Sequence, residues 1–343
     1  MRQRALTLTY LFGAVLVAQG SNAQSSYVLQ AFGDVNLGRS VGQELLKGNL
    51  TFPFENVEVA FRSPDAVFVN LESVLSDQGG ETQNPKDVFV FCGPPQGAIS
   101  LKRAHISIVS TANNHAYDYG LKGLRETIEF LQRENIAVLG TSTEPQSSYK
   151  PWLLPSKEIR VAFLAYTEFV NARGSWKNRI SLFDKRRAKN EIDSARTIAD
   201  VVIVSYHGGT EYSDEPSKFT RAQLRYLADA GADIVLGHHP HVPQGIEARG
   251  GRLIFYSLGN FVFHQPQHVW TQTGMGVEFV FGRSGGRTHL EAARIIPVHA
   301  GKQPSLTVSE ADQSALFERL RRLSNVTLER QDTSIRIQLP ADR

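Results

Sequence analysis

Seven short runs rich in Val, Ile, Phe and Leu recur along this 343-residue chain, and their placement limits the folds open to it. They occupy residues 27–32, 66–69, 106–109, 160–165, 201–204, 234–236 and 253–256. Runs this short and this continuously apolar read as strands buried on both faces. Helical patterns lie between several of them. Leu121, Leu124, Ile128 and Leu131 fall on one face after Gly120, and residues 219–230 form a helix that stops at Gly231. Strand alternating with helix gives an α/β core. Residues 275–281 and 294–298 read as later antiparallel strands, 311–323 as an amphipathic helix and 334–339 as a last alternating strand.

The first residues differ in kind from the rest. Arg2 and Arg4 precede the apolar run 6–18, and Ser21-Asn22-Ala23 offers small residues for cleavage. A signal peptide over 1–23 and one domain over 24–343 are expected, which makes the mature protein periplasmic or secreted. The run is short for a membrane span, so an uncleaved anchor is the lesser reading. The formal charge of +3 comes from 37 basic and 34 acidic residues. Removing Arg2 and Arg4 leaves 37 − 2 = 35 basic against 34 acidic residues, so no nucleic-acid partner is expected. The single cysteine, Cys92, reads as a small buried hydrophobe.

Polar residues fall where the strands end. Asp34 follows the first run, Asn70 and Glu72 the second, Asn113-Asn114-His115 the third and His207 the fifth. Gly237-His238-His239-Pro240-His241 follows the sixth and crowds three imidazoles into four positions. Open α/β sheets bind ligands beyond the carboxyl ends of their strands, so these residues are expected to converge on one crevice. Pro240 pushes His239 out of the α region, and in extended chain His239 and His241 would point the same way, toward one metal. Asp, Glu, Asn and His together suit Mn, Fe or Zn.

The ordered set Gly33-Asp34, Asn70-Leu71-Glu72, Asn113-Asn114-His115, His207-Gly208-Gly209 with Glu211-Tyr212, Gly237 to His241 and Ser257-Leu258-Gly259-Asn260-Phe261 resembles the CapA family. That family is named for poly-γ-glutamate capsule synthesis and is related to the calcineurin-like metallophosphoesterases. The resemblance runs from Asp34 to about Phe281. It implies a four-layer αββα sandwich of two mixed sheets, with one or two divalent ions as cofactor. Asp34 and His241 would hold a first metal, Glu72 would bridge, and Asn114, His207 and His239 would hold the second. His115 would be the acid that protonates a leaving group. His238 falls outside this ligand set. Asn36, Glu211, Tyr212 and Asn260 would meet the substrate. Asn36 stands where the phosphoesterases carry a histidine, and an amide is the poorer ligand, so the first site is expected to be the weaker.

The function implied is synthesis, processing or export of an anionic cell-surface polymer of the poly-γ-glutamate type. Metal-dependent hydrolysis of a phosphoester or amide, beside a membrane-bound capsule synthesis complex, would carry it out. The alternatives are a phosphoesterase on small exported esters and a non-catalytic scaffold of a capsule assembly complex. His264 and His268, with Trp270, read as a solvated rim, and Lys185-Arg186-Arg187 with Lys189 as a solvated face.

Overall fold

The computed structural model describes residues 26–155, 158–172 and 176–339. The expected signal peptide lies outside them. The first part of the chain runs β1 (Ser26–Val35), α1 (Arg39–Leu46), β2 (Ala66–Leu71), β3 (Val74–Leu75), β4 (Cys92–Gly93), α2 (Gln96–Arg103), β5 (Ile108–Ser110), α3 (Gly120–Arg133) and β6 (Ala137–Leu139). Next come β7 (Trp152–Leu153), β8 (Val161–Thr167), α4 (Lys185–Ile198), β9 (Val201–His207), α5 (Lys218–Ala230) and β10 (Ile234–His238). The last part holds β11 (Ile246–Arg249), β12 (Arg252–Phe255), β13 (Asn260–Val262), β14 (Thr273–Ser284), β15 (Arg287–His299), α6 (Glu310–Leu323), β16 (Leu328–Arg330) and β17 (Ile335–Ile337).

Among the described residues two large sheets form, both mixed. One has the order β16-β17-β15-β14-β1-β2-β5-β6, with β13 also paired to β1; the other runs β11-β12-β10-β9-β8-β7. β1, β2, β5 and β6 are parallel, as are β8, β9, β10 and β12, while β14 and β15 form a long antiparallel pair. Parallel strands need crossovers, and α3, α4 and α5 supply them.

Three buried clusters set the layers. Leu29, Ala31 and Phe68 of the first sheet pack with Phe163, Ile203, Leu236 and Phe255 of the second, so the sheets lie face to face. On the outer side of the first sheet Phe32, Val67 and Val69 pack with Val41, Leu101 and Leu131 from α1, α2 and α3. On the outer side of the second, Val202, Val204 and Val235 pack with Ile192 and Leu224 from α4 and α5. The result is the αββα sandwich. Both faces of the central strands are covered, which is why their runs are apolar without alternation.

The helices read from spacing sit where expected. Leu124, Ile128 and Leu131 are buried on α3, and Gly231 caps α5 with φ of +125°, a conformation that favours glycine. Cys92 is buried and unpaired with another cysteine, and burial pushes its thiol up to about 12. The first three residues of the 185–189 basic patch open α4, where Lys185 and Arg186 are exposed.

Gly33 shows how closely the layers approach at the site. A Cβ there would stand 1.8 Å from the carbonyl oxygen of Gly259, which accepts the Asp34 N–H at 3.0 Å. Backbone cannot yield as a side chain can, so Gly33→Ala is expected to destabilise by about 3 kcal/mol, the upper end of overpacking costs. Urea unfolding checks this. A loss under about 0.5 kcal/mol, the range of an ordinary surface change, would contradict the packing described.

Candidate metal centre

Strand register assembles the centre. In the first sheet Asn260, Asp34 and Asn70 stand side by side, since Asp34 pairs with both Asn260 of β13 and Asn70 of β2. In the second sheet His207 pairs with His238. Glu72 follows β2 directly, and Asn113, Asn114 and His115 follow β5. Parallel strands of both sheets thus deliver their carboxyl ends to one edge.

Asp34, Glu72, His207 and His238 have no solvent exposure, and Asn114, His239 and His241 are nearly as buried. Two trios of ligand atoms share Glu72: one joins it to His207 and His239, the other to Asp34 and His241. Each trio's atoms lie within 4.8 Å of one another, as ligands of a single ion would. His207 Nε2 is 2.8 Å from Asn114 Oδ1 and 3.6 Å from Glu72 Oε1. His241 Nδ1 is 2.9 Å from Asn260 Oδ1 and 3.3 Å from Asp34 Oδ2, while its Nε2 lies 3.8 Å from Glu72 Oε1. Donation from Nδ1 leaves that Nε2 with a lone pair toward the carboxylate.

The donors fit a divalent cation. Both oxygens of Glu72 and Nδ1 of His239 are buried without a hydrogen-bond partner. A buried carboxylate in that state costs several kcal/mol, and a cation relieves it. Oxygen and imidazole donors with no thiolate suit Mn, Fe or Zn.

The electrostatics agree. Burial alone would raise the Asp34 carboxyl, but the His238 and His241 rings beside it hold it well below the usual carboxylate range. Burial, then the charge of Asp34, pushes Glu72 well above that range. Burial and the neighbouring His239 hold His207 well below 6.5, and burial with His241 pushes His239 down to about 3. Both imidazoles are therefore neutral and ready to ligate at neutral pH.

Two pH effects follow. Glu72 must lose its proton to ligate, so metal binding is expected to release a proton and to tighten as pH rises. Calorimetry in buffers of different ionisation enthalpy measures that release; a buffer-independent heat would refute it. For His207 and His239 the unfolded chain takes up protons that the folded state refuses. Their stability contribution is full above 6.5 and is lost as pH falls below it, for His239 down to about 3. Melting of chelator-treated protein from neutral to acid pH tests the sign.

The histidine loop differs from the extended segment expected at Pro240. His239 has φ of +96° and His241 φ of +60°. Tertiary bonds impose this: the His239 N–H reaches Asp34 Oδ2 at 3.3 Å, and Pro240 O accepts from Tyr212 N at 2.9 Å. The two rings, with centroids 6.0 Å apart, fall in different trios about Glu72, while a third trio joins both of them to Glu211, so donors for one ion between them are present as well. His238 belongs to neither trio but places Nδ1 3.3 Å from Asp34 Oδ1.

Of the residues expected to meet substrate, Glu211 is exposed at the mouth and Tyr212 stacks on His268 at 4.4 Å. Asn36 Oδ1 accepts from Gly38 N, and its Nδ2 is buried without a partner. Asn260 Nδ2 donates to Gln265 Oε1 and Thr271 O, and its Oδ1 meets His241 Nδ1, so its amide holds the His241 ring. His115 Nδ1 lies 2.9 Å from Asp118 Oδ2, which also accepts from Phe91 N. Asp118 was not singled out from sequence; its place three residues after His115 was the available signal. Nor was Arg319 of α6, buried over Trp270 at 4.3 Å, whose Nε donates to Pro243 O and so steadies the histidine loop.

The sequence profile described as "Bacterial capsule synthesis protein PGA_cap" matches residues 28–265, which include every residue of both trios. The chain belongs to that family. It is similar to "PGA biosynthesis protein CapA" of Bacillus subtilis (strain 168), 33% identical over 246 residues, covering 70% of this chain and 63% of the relative. It is also similar to "Capsule biosynthesis protein CapA" of Bacillus anthracis, 31% identical over 251 residues, 70% of this chain and 60% of the relative. The chain thus spans about six tenths of the length of these curated relatives. A solved calcineurin-like phosphoesterase, YfkN from Bacillus subtilis, aligns over 88% of this chain and 99% of its own at 12% identity, with a TM-score of 0.46. At that score the fold rests on the sheets seen here, which are mixed and face to face.

Proposed function

We propose that the protein is an exported metal-dependent hydrolase that processes an anionic cell-surface polymer of the poly-γ-glutamate type. The observation that carries this reading is Glu72: a buried carboxylate, both oxygens unpartnered, shared by two trios of ligand atoms. Divalent ions held there would polarise an ester or amide oxygen and acidify a water. Asp34, Glu72 and His241 would hold one, and Glu72, Asn114, His207 and His239 the other. Mn, Fe or Zn match the donors.

The chain's own residues would do the rest. Asn260 orients His241, and His238 lies against Asp34. Asp118 fixes Nδ1 of His115, leaving Nε2 to hold or give the proton that a leaving group needs. Glu211 and Tyr212, at the mouth, would meet substrate.

The polymer assignment is supported by the relatives' names, which refer to capsule and PGA biosynthesis. Export is supported by Arg2, Arg4, the apolar run 6–18 and Ala23, with residues 24–343 as the mature protein. A membrane-bound capsule synthesis complex would be the partner. Purified protein reloaded with Mn, Fe or Zn and assayed on a γ-linked glutamate polymer and on a chromogenic phosphate ester should cleave the polymer, and chelation should abolish it. Cleavage of the ester alone would favour a small-molecule phosphoesterase. No cleavage of either by metal-loaded protein would refute the hydrolase reading and favour a scaffold.

A further inference from the structure

Arg39 stands beside the same crevice, and the chemistry above does not use it. Its backbone has φ of +51°, an uncommon conformation for a residue with a long side chain. Thr82 holds it there: the Arg39 N–H donates to Thr82 O at 2.8 Å, and Thr82 Oγ1 donates to Arg39 O at 2.8 Å. The half-buried guanidinium lies 4.4 Å over the Phe91 ring and 5.9 Å from the Phe263 ring.

Those two rings locate the charge. Phe91 is 4.2 Å from the His115 ring and Phe263 is 4.8 Å from the His241 ring. Arg39 is thus one aromatic ring away from the proposed proton donor and from a ligand. Burial lowers its guanidinium, while Tyr212 and Glu72 lie close enough for their fields to oppose that. Among the described residues no carboxylate pairs with it; one bond, Nη2 to Val88 O at 3.3 Å, occupies a group with five donors.

A guanidinium stacked on an aromatic face, charged and with most of its fork unpaired, is suited to gripping two oxygens of an anion. A plain staple for the loop at Val88 would need the ring contact and the one carbonyl, but not a position beside the crevice. We propose that Arg39 binds an anionic group of the substrate, a carboxylate or a phosphate, next to the metal-ligand cluster. The inference rests on reading that cluster as the reaction centre.

The test measures binding rather than turnover. Full chain, wild type and Arg39→Gln, is titrated with a labelled γ-linked glutamate oligomer and with inorganic phosphate, with metal content and Tm recorded alongside. The charge-assisted pair should make Arg39→Gln bind at least one probe about 10- to 100-fold more weakly at unchanged metal content and Tm. Arg39→Lys, keeping charge without the fork, should fall between. Loss confined to the oligomer identifies a carboxylate, and loss confined to phosphate identifies a phosphate ester. Wild-type binding of both probes by Arg39→Gln, no binding of either by wild type, or a change only in Tm would overturn the proposal. If Arg39→Gln does not fold, folded Arg39→Lys with unchanged binding overturns it and weakened binding supports it. A wild-type protein without metal would sink the centre instead, which the metal assay reports separately.

Discussion

Glu72→Gln is expected to strip ions from both positions of the centre while the fold stands. The carboxylate is common to both trios, so its loss removes an anionic ligand from each at once. A neutral amide is a poor substitute, and the fall in metal affinity should exceed the about 10- to 100-fold that outer partners of ligands typically contribute. The metal-free fold should not suffer, because the substitution replaces a buried carboxyl with two unpartnered oxygens by a neutral group of the same shape. Elemental analysis and melting in chelator check both halves. Full metal retention by Glu72→Gln would remove the bridge from the account, and collapse of the metal-free variant would show a structural role instead.

His115→Asn is expected to slow hydrolysis by about 10²- to 10⁴-fold, the usual worth of a positioned acid. Metal content should not change, since His115 belongs to neither trio. Asp118→Asn should act in the same direction, because the amide cannot hold Nδ1–H as the carboxylate does across 2.9 Å. Turnover beside elemental analysis separates the roles. Metal loss in His115→Asn would make it a ligand, and unchanged turnover would leave it a packing residue against Phe91.

Much of this was legible because the strands announce themselves. Central strands covered on both faces must be largely apolar, so runs such as 66–69 and 201–204 mark β2 and β9, and Asn70 and His207 beyond those runs mark the crevice edge. The face-to-face pairing of the sheets came from family resemblance and not from periodicity; alternation alone cannot say which strands share a sheet. β6, at Ala137–Leu139, was too short to stand out. Local rules failed at His239, where the bond its N–H donates to Asp34 and the one from Tyr212 N to Pro240 O override the preference set by proline. Asp118 and Arg39 were silent because their importance lies in what they touch, namely His115 and the Phe91 ring.

The central claim is that two trios sharing Glu72 each hold an ion, and site-resolved metal counting tests it most directly. Elemental analysis of wild type, Asp34→Ala and His207→Ala should show the wild type with both ions and each variant lacking the ion of its own trio. Full metal retention by both variants would contradict the account.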